Sequence, residues 1–174
     1  MWKLIISSLY LILPAYLGNM APIIAGKLKL PFGTPISTKH FGIHKTYRGF
    51  YSGYFGALGC LLGQLFLQKN GYFNEYVILD YQNINLFLYA FVFGIGALTG
   101  DLIKSYFKRK IGKKEGDCWF PADQIDLILG ASLFLAPFGV MTWENFITII
   151  ILTPLLHFLT NVSAYFLGIK KVWW

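Results

Sequence analysis

The sequence predicts an all-α fold, a polytopic membrane bundle of about five transmembrane helices, from an apolar composition, five long apolar runs and a lopsided distribution of basic residues. Of 174 residues, 56% are hydrophobic and 13% charged, and the mean hydropathy is +0.54. Too few polar side chains remain to cover a water-soluble globule, so lipid is the main solvent. A spanning helix needs about 20 mostly apolar residues, and only a handful of such segments fit this length. No internal repeat, low-complexity tract or composition shift divides the chain, and residues 1–174 read as one domain.

The first run extends from Leu4 to Ala25. It is too long for the apolar region of a signal peptide, and its NMAP segment reads as a helix end carrying a polar group, so its retention is expected. Further runs follow at about Phe50–Leu67, Ile84 to about Phe107, Asp123–Val140 and Glu144–Leu167, with Pro and Gly between them.

The basic residues orient the bundle. Alternate connections place Lys27, Lys29, Lys39, Lys45 and Arg48 on one side, with Lys104, Lys108, Arg109, Lys110, Lys113, Lys114, Lys170 and Lys171. The other side receives only Lys3 and Lys69. The positive-inside rule then puts the N-terminus outside and the C-terminus in the cytoplasm. Two long cytoplasmic loops, roughly 27–49 and 108–122, fall on the same side as Asp101, Asp123 and Asp126. A multi-pass protein of the cell (inner) membrane with a cytoplasm-facing site is expected. The net charge of +7 reports topology and anionic headgroups, not nucleic acid. Cys60 and Cys118 have no ligand-spaced partner, so zinc and disulfide frameworks are unsupported and both read as free thiols.

The densest constellation is GDLIKSYFKRKIGKKEGDCWFPADQID, Gly100 to Asp126. Asp101, Ser105, Lys108, Arg109 and Gly112 fall on one helical face. Asp123 and Asp126 stand three apart just after Pro121, in the first turns of the next helix. Three carboxylates among many cations suit a magnesium-nucleotide site, because hard oxygens hold the divalent ion while Lys and Arg neutralise phosphate. The plainer alternatives are a salt bridge from Asp101 to Lys104 or Lys108, a dipole-favoured N-terminal acid at Asp123, and a solvated topogenic charge run for the lysines.

The other cytoplasmic loop contributes FGIHKTYRGFYSGYFG, Phe41 to Gly56. Lys45, Thr46 and Arg48 offer a point charge, a hydroxyl and a planar fork at a helix start, a combination suited to phosphate oxygens. The glycine spacing is not that of a Walker A loop. Gly49, Gly53 and Gly56 on one helix, and Gly96 and Gly100 on the next, read as close packing, with backbone approach to a ligand as the sharper alternative. Asn19, three residues before Pro22, could bond a ligand or cap an interrupted helix. His157 and Asn161 read first as interhelical hydrogen-bonding groups, and His40 and His44 as solvated loop residues.

The stretches GDLIKSYFKR, IGKKEGD and PADQID resemble the signature of integral-membrane cytidylyltransferases, of the form G-D-x-x-x-S-x-x-K-R, G-x-K and D-x-x-D. With its short length, LPAYLGNMAP opening and FGIHKTYRG loop, the whole chain is more similar to the CDP-archaeol synthase family than to the longer bacterial CDP-diacylglycerol synthases. Their PGHGG-like stretch is replaced here by FPAD. The resemblance implies a reaction of CTP with a lipid phosphate, archaeol-type or like phosphatidic acid, giving a CDP-lipid and pyrophosphate with Mg²⁺ as cofactor. It implies Asp101, Asp123 and Asp126 as catalytic metal ligands and Lys108 as a further catalytic residue. Asn19, Lys45, Thr46, Arg48, Ser105, Arg109 and Lys113 would bind CTP and the lipid phosphate. The expected partners are CTP, the lipid phosphate and membrane lipids, with no nucleic acid and a homodimer allowed.

The alternative from another class is a small cation-coupled transporter using the intramembrane carboxylates, although carriers place polar sites near the midplane between repeated halves. A phosphatidyltransferase lacks support, because its D-G-x-x-A-R…G-x-x-x-D-x-x-x-D pattern is absent.

Overall fold

Strong apolar runs bounded by Gly, Pro and polar turns give the helices seen in the computed structural model, which describes residues 1–114 and 117–166. They are α1 (Trp2–Lys27), a single turn α2 (Thr38–Phe41), α3 (Tyr47–Lys69), α4 (Leu86–Ala90), α5 (Gly96–Lys110), α6 (Ala122–Leu135) and α7 (Trp143–Phe166). A π-helical segment, Phe91–Ile95, joins α4 to α5 without a break. Among the described residues three helices are long and apolar enough to cross a membrane, namely α1, α3 and the continuous Leu86–Lys110. Trp143–Leu159 is a shorter apolar helical stretch.

The expected first three runs coincide with these helices to within a few residues. The fourth differs, because α6 ends at Leu135, before the expected Val140, where Pro137 cannot extend the hydrogen-bond ladder and Gly139 takes φ 61° after a 3₁₀ turn, Ala136–Phe138. The helices meet through small residues. A Cβ on Gly94 would stand 2.6 Å from the Gly53 carbonyl oxygen, and one on Gly18 would stand 3.0 Å from both that oxygen and Gly94 Cα, so α1, α3 and the π segment touch backbone to backbone. α5 and α6 cross the same way: a Cβ on Gly100 would lie 2.0 Å from the Asp126 carbonyl oxygen, and one on Gly130 2.2 Å from that of Gly96. At Gly53, Gly56, Gly96 and Gly100 the structure supports the packing reading.

Leu11, Ile12, Leu61, Phe93, Ile128 and Ile149, each at most 1% exposed, form the centre of the core. Polar pairs tie helices together within it: Tyr16 and Thr153 hydroxyls lie 2.6 Å apart, and Asn145 Nδ2 donates to Ser8 Oγ at 2.9 Å. In the connection after α3, Asp80 accepts from Asn83 Nδ2, the Gln82 amide and Gln68 Nε2, which hold its carboxyl below the usual carboxylate range. The end of α1, the start of α3, the end of α5 and the start of α6 lie together at the end of the bundle that carries most of the basic residues.

Candidate functional site

The 28–46 loop folds back along the start of α3. The Ile36 amide donates to the Lys45 carbonyl, the Tyr47 amide to Thr34 and the Arg48 amide to Phe32, while Arg48 Nη1 donates to the Leu30 carbonyl at 2.8 Å. Gly33 passes beneath that guanidinium so closely that a Cβ there would lie 2.9 Å from Nη1. Thr46 is the N-cap of α3, its hydroxyl accepting from the Gly49 amide at 3.1 Å. Lys45 and Arg48 are thereby held beside α5.

A cavity of about 620 Å³ opens between this loop and the ends of α1, α5 and α6. Asn19, Lys45, Thr46, Arg48, Asp101, Lys104, Asp123 and Asp126 line it, together with His44 and His157. The three carboxylates converge on a single cation. Lys104 Nζ lies 3.0 Å from Asp101 Oδ1, 3.2 Å from Asp123 Oδ1 and 2.7 Å from Asp126 Oδ2. Asp101 also pairs with Lys45 across from the loop. Asp123 accepts from both Lys108 Nζ, at 3.1 Å to each oxygen, and the Trp119 amide at 2.7 Å. Asp126 accepts from the Leu127 amide at 2.7 Å.

Seven of the expected site residues therefore line one space, and four do not. Ser105 is buried and donates back to the Asp101 carbonyl at 2.8 Å. Lys108, also buried, bridges Asp123 to the Asp117 carbonyl. Arg109 Nη1 donates to the Lys113 carbonyl at 2.6 Å and Lys113 Nζ to that of Cys118 at 3.0 Å, so these cations knit the loop after α5. Lys104 was weighed in the sequence only as a local salt-bridge partner of Asp101. Its i+3 spacing from Asp101 was the available signal, but its contacts with α6 exist only in the fold. Cys60 and Cys118 are free thiols, as expected, and His40 is exposed in α2. The Asn161 side chain, Lys170 and Lys171 lie outside the described residues.

Three carboxylates aimed at one positive charge fit, in donor chemistry, the all-oxygen demand of magnesium. Among the described residues no group of three His, Cys, Asp or Glu side chains stands in metal-holding geometry, and the Lys104 ammonium takes the central position.

Fold and site together define a polytopic helical membrane protein with a charged cavity at one end of its bundle. The chain belongs to the CDP-archaeol synthase family: a family profile described as CarS-like, CDP-archaeol synthase, matches residues 1–174. The CDP-archaeol synthase of Methanoculleus marisnigri is 36% identical over 176 residues, covering 93% of this chain and 99% of that one. Those of Methanococcoides burtonii and Methanocaldococcus jannaschii are 37% and 34% identical, covering 93% and 99% of this chain and 99% of each relative. A solved intramembrane enzyme for archaeal membrane lipids biosynthesis superposes with TM-score 0.70 over 88% of this chain and 92% of its own, at 24% identity, and shares the fold. As a family member the chain is a CTP-dependent cytidylyltransferase by class, and a carrier is not favoured.

Proposed function

We propose that the chain transfers a cytidylyl group from CTP to an archaeol-type lipid phosphate, forming a CDP-lipid and releasing pyrophosphate. The observation that carries the reading is the convergence of Asp101, Asp123 and Asp126 on Lys104, ringed by Lys45 and Arg48, in a cavity at the end of the bundle. A lipid phosphate monoester is mostly dianionic near neutral pH, so it needs no general base to become a nucleophile. Its oxygen attacks the α-phosphorus of CTP, and the bond from that phosphorus to the bridging oxygen of the leaving pyrophosphate breaks. The difficulty is repulsion between two anions, so alignment and charge neutralisation do most of the catalysis.

In the cluster, Lys45, Lys104 and Lys108 approximately offset the three carboxylates, leaving little positive charge to spare for a triphosphate. Magnesium held by Asp101, Asp123 and Asp126 would neutralise charge on the triphosphate and its leaving group. Arg48, which donates to the Leu30 carbonyl, has the planar fork to grip a phosphate bidentately, and Lys45 and Lys104 supply point charges on either side. Thr46 and Asn19 present a hydroxyl and an amide to the same space. Lys108, Arg109 and Lys113 hold Asp123 and the loop after α5 in place, and Ser105 bonds back to the Asp101 carbonyl within α5.

The topology belongs to the same proposal: one domain with five spans, N-terminus outside, C-terminus in the cytoplasm, and the cavity facing the cytoplasm of a cell membrane. The basic residues crowded at the cavity end support it.

The test is pyrophosphate release by purified protein in detergent with CTP and magnesium, comparing ether-linked archaeol-type phosphate with phosphatidic acid. Release that requires the ether lipid and CTP, and stops on chelation, is expected. Absence of release with both lipids, despite a folded protein, would overturn the proposal.

A further inference from the structure

Lys104 and Asp126 line a second cavity as well. About 270 Å³ in volume, it lies in the crossing of α5 and α6, and apart from these two residues its walls are apolar. Ile103 and Phe107 on α5 and Leu129 and Leu133 on α6 flank it, all exposed by 45% or more, so the groove opens toward the surroundings of the bundle. Gly100 and Gly130 form its floor, where the two backbones touch. Along α6 it runs from Ala122 past Asp126 to Leu133, eleven residues or about 16 Å.

An apolar groove in a bilayer does not select its occupant by hydrophobicity, because a chain already in lipid gains little by moving into it. Selection must come from the polar site that it adjoins. Here the groove borders the charged cavity partway along its length, where Lys104 and Asp126 line both spaces and the Lys104 ammonium sits among the carboxylates on the charged side. The other apolar groove, about 210 Å³ between α1 and α3, shares no residue with that cavity. Resting on the function proposed above, we infer that the α5–α6 groove holds a hydrocarbon chain of the lipid phosphate substrate, with the phosphate at Lys104. One lysine thus marks the seam at which an oily chain from the bilayer and a nucleotide from water are brought together. The chain never leaves an apolar environment, which avoids about 0.8 kcal/mol for each methylene that water would otherwise wet.

The experiment narrows the groove without touching the charged residues. Leu129→Trp and Leu133→Trp, both at exposed positions, should raise the KM for a long-chain lipid phosphate at least about tenfold. The KM for CTP, the turnover with a short-chain, water-soluble lipid phosphate and the melting temperature should stay at wild-type values. In parallel, a long-chain phosphomonoester carrying a terminal diazirine should label the segment around Leu129 and Leu133. Excess unlabelled phosphomonoester should suppress that labelling, and a phosphodiester lipid with the same chains should not. Wild-type long-chain kinetics in both Trp variants would overturn the groove assignment while leaving the cytidylyl transfer standing. Equal suppression by the phosphodiester would show a groove for bulk lipid only and overturn it as well. Phosphomonoester-selective labelling in a protein that never turns over CTP would support the groove and instead sink the proposed reaction.

Discussion

Replacing Gly100 by alanine places one methyl group where the structure has no room. The new Cβ would stand 2.0 Å from the Asp126 carbonyl oxygen and 2.9 Å from its carbonyl carbon, both backbone atoms that cannot rotate away. Restoring an ordinary contact of 3.4 Å requires α5 and α6 to part by about 1.4 Å. Lys104 rides on α5 and Asp126 on α6, so their 2.7 Å contact stretches to beyond 4 Å and the ion pair opens. Overpacking of this kind costs about 1–3 kcal/mol, and a misplacement of about 1 Å in a catalytic constellation costs about a hundredfold in rate. The expected result for Gly100→Ala is a lowered melting temperature in detergent and CTP-dependent pyrophosphate release reduced about a hundredfold. Gly59→Ala and Gly63→Ala are the internal controls. A Cβ at either meets nothing within 4 Å, and both sit inside α3, where alanine gains about 0.5–1 kcal/mol over glycine. Wild-type activity and stability in Gly100→Ala, or an equal loss in the controls, would refute the view that the α5–α6 contact sets the carboxylate geometry.

Other perturbations separate the roles within the cluster. Lys104→Met leaves three carboxylates without their shared ammonium, so the metal-free protein should melt earlier than wild type and recover more of that loss on adding Mg²⁺ or Mn²⁺; a melting curve unchanged by either would remove Lys104 from the centre of the site. Asp101→Asn, Asp123→Asn and Asp126→Asn should each abolish most pyrophosphate release with the protein still membrane-inserted, and near-normal turnover in one variant would exclude that residue. Arg48→Lys keeps the charge but loses the planar fork, so a roughly tenfold rise in KM for a phosphate-bearing substrate is expected from steady-state kinetics. Because the folded protein lowers the Asp80 carboxyl pKa, its contribution to stability is present above the unfolded carboxylate pKa of about 3.9 and fades as pH falls through the lower folded value; the melting temperatures of wild type and Asp80→Asn should therefore differ at neutral pH and converge in acid.

The long apolar runs and the one-sided lysines made the helices and the charged end legible before any coordinates, because both follow from local composition. Asp101, Asp123, Asp126, Lys45 and Arg48 were legible for the same reason, as members of the two charged stretches that interrupt an apolar chain. What could not be read was which cations serve the cavity and which serve the loop. Lys104 and Lys108 occupy the same stretch of α5, yet Lys104 faces the cavity while Lys108 is turned under the Asp117 and Asp123 segment. That difference depends on how α5 rotates against α6, which the contacts of Gly96 and Gly100 with Gly130 and the Asp126 backbone decide. The early stop of α6 was readable in Pro137 and Gly139, but hydrophobicity continuing to Val140 concealed it. His157 lines the cavity, a placement that only the fold reveals.

The brevity of α6 has a consequence for the membrane itself. Fourteen residues rise about 21 Å, against a hydrocarbon layer of about 30 Å. The peptide groups that follow are sheltered in part by Val140 and Met141, which pack back onto the core. Under the five-span topology proposed above, the far leaflet would bend inward to meet a short wall on this side of the bundle, while the long α1 and Leu86–Lys110 helices hold it at full height. Its working rate should then depend on how thick and how compliant the surrounding lipid is.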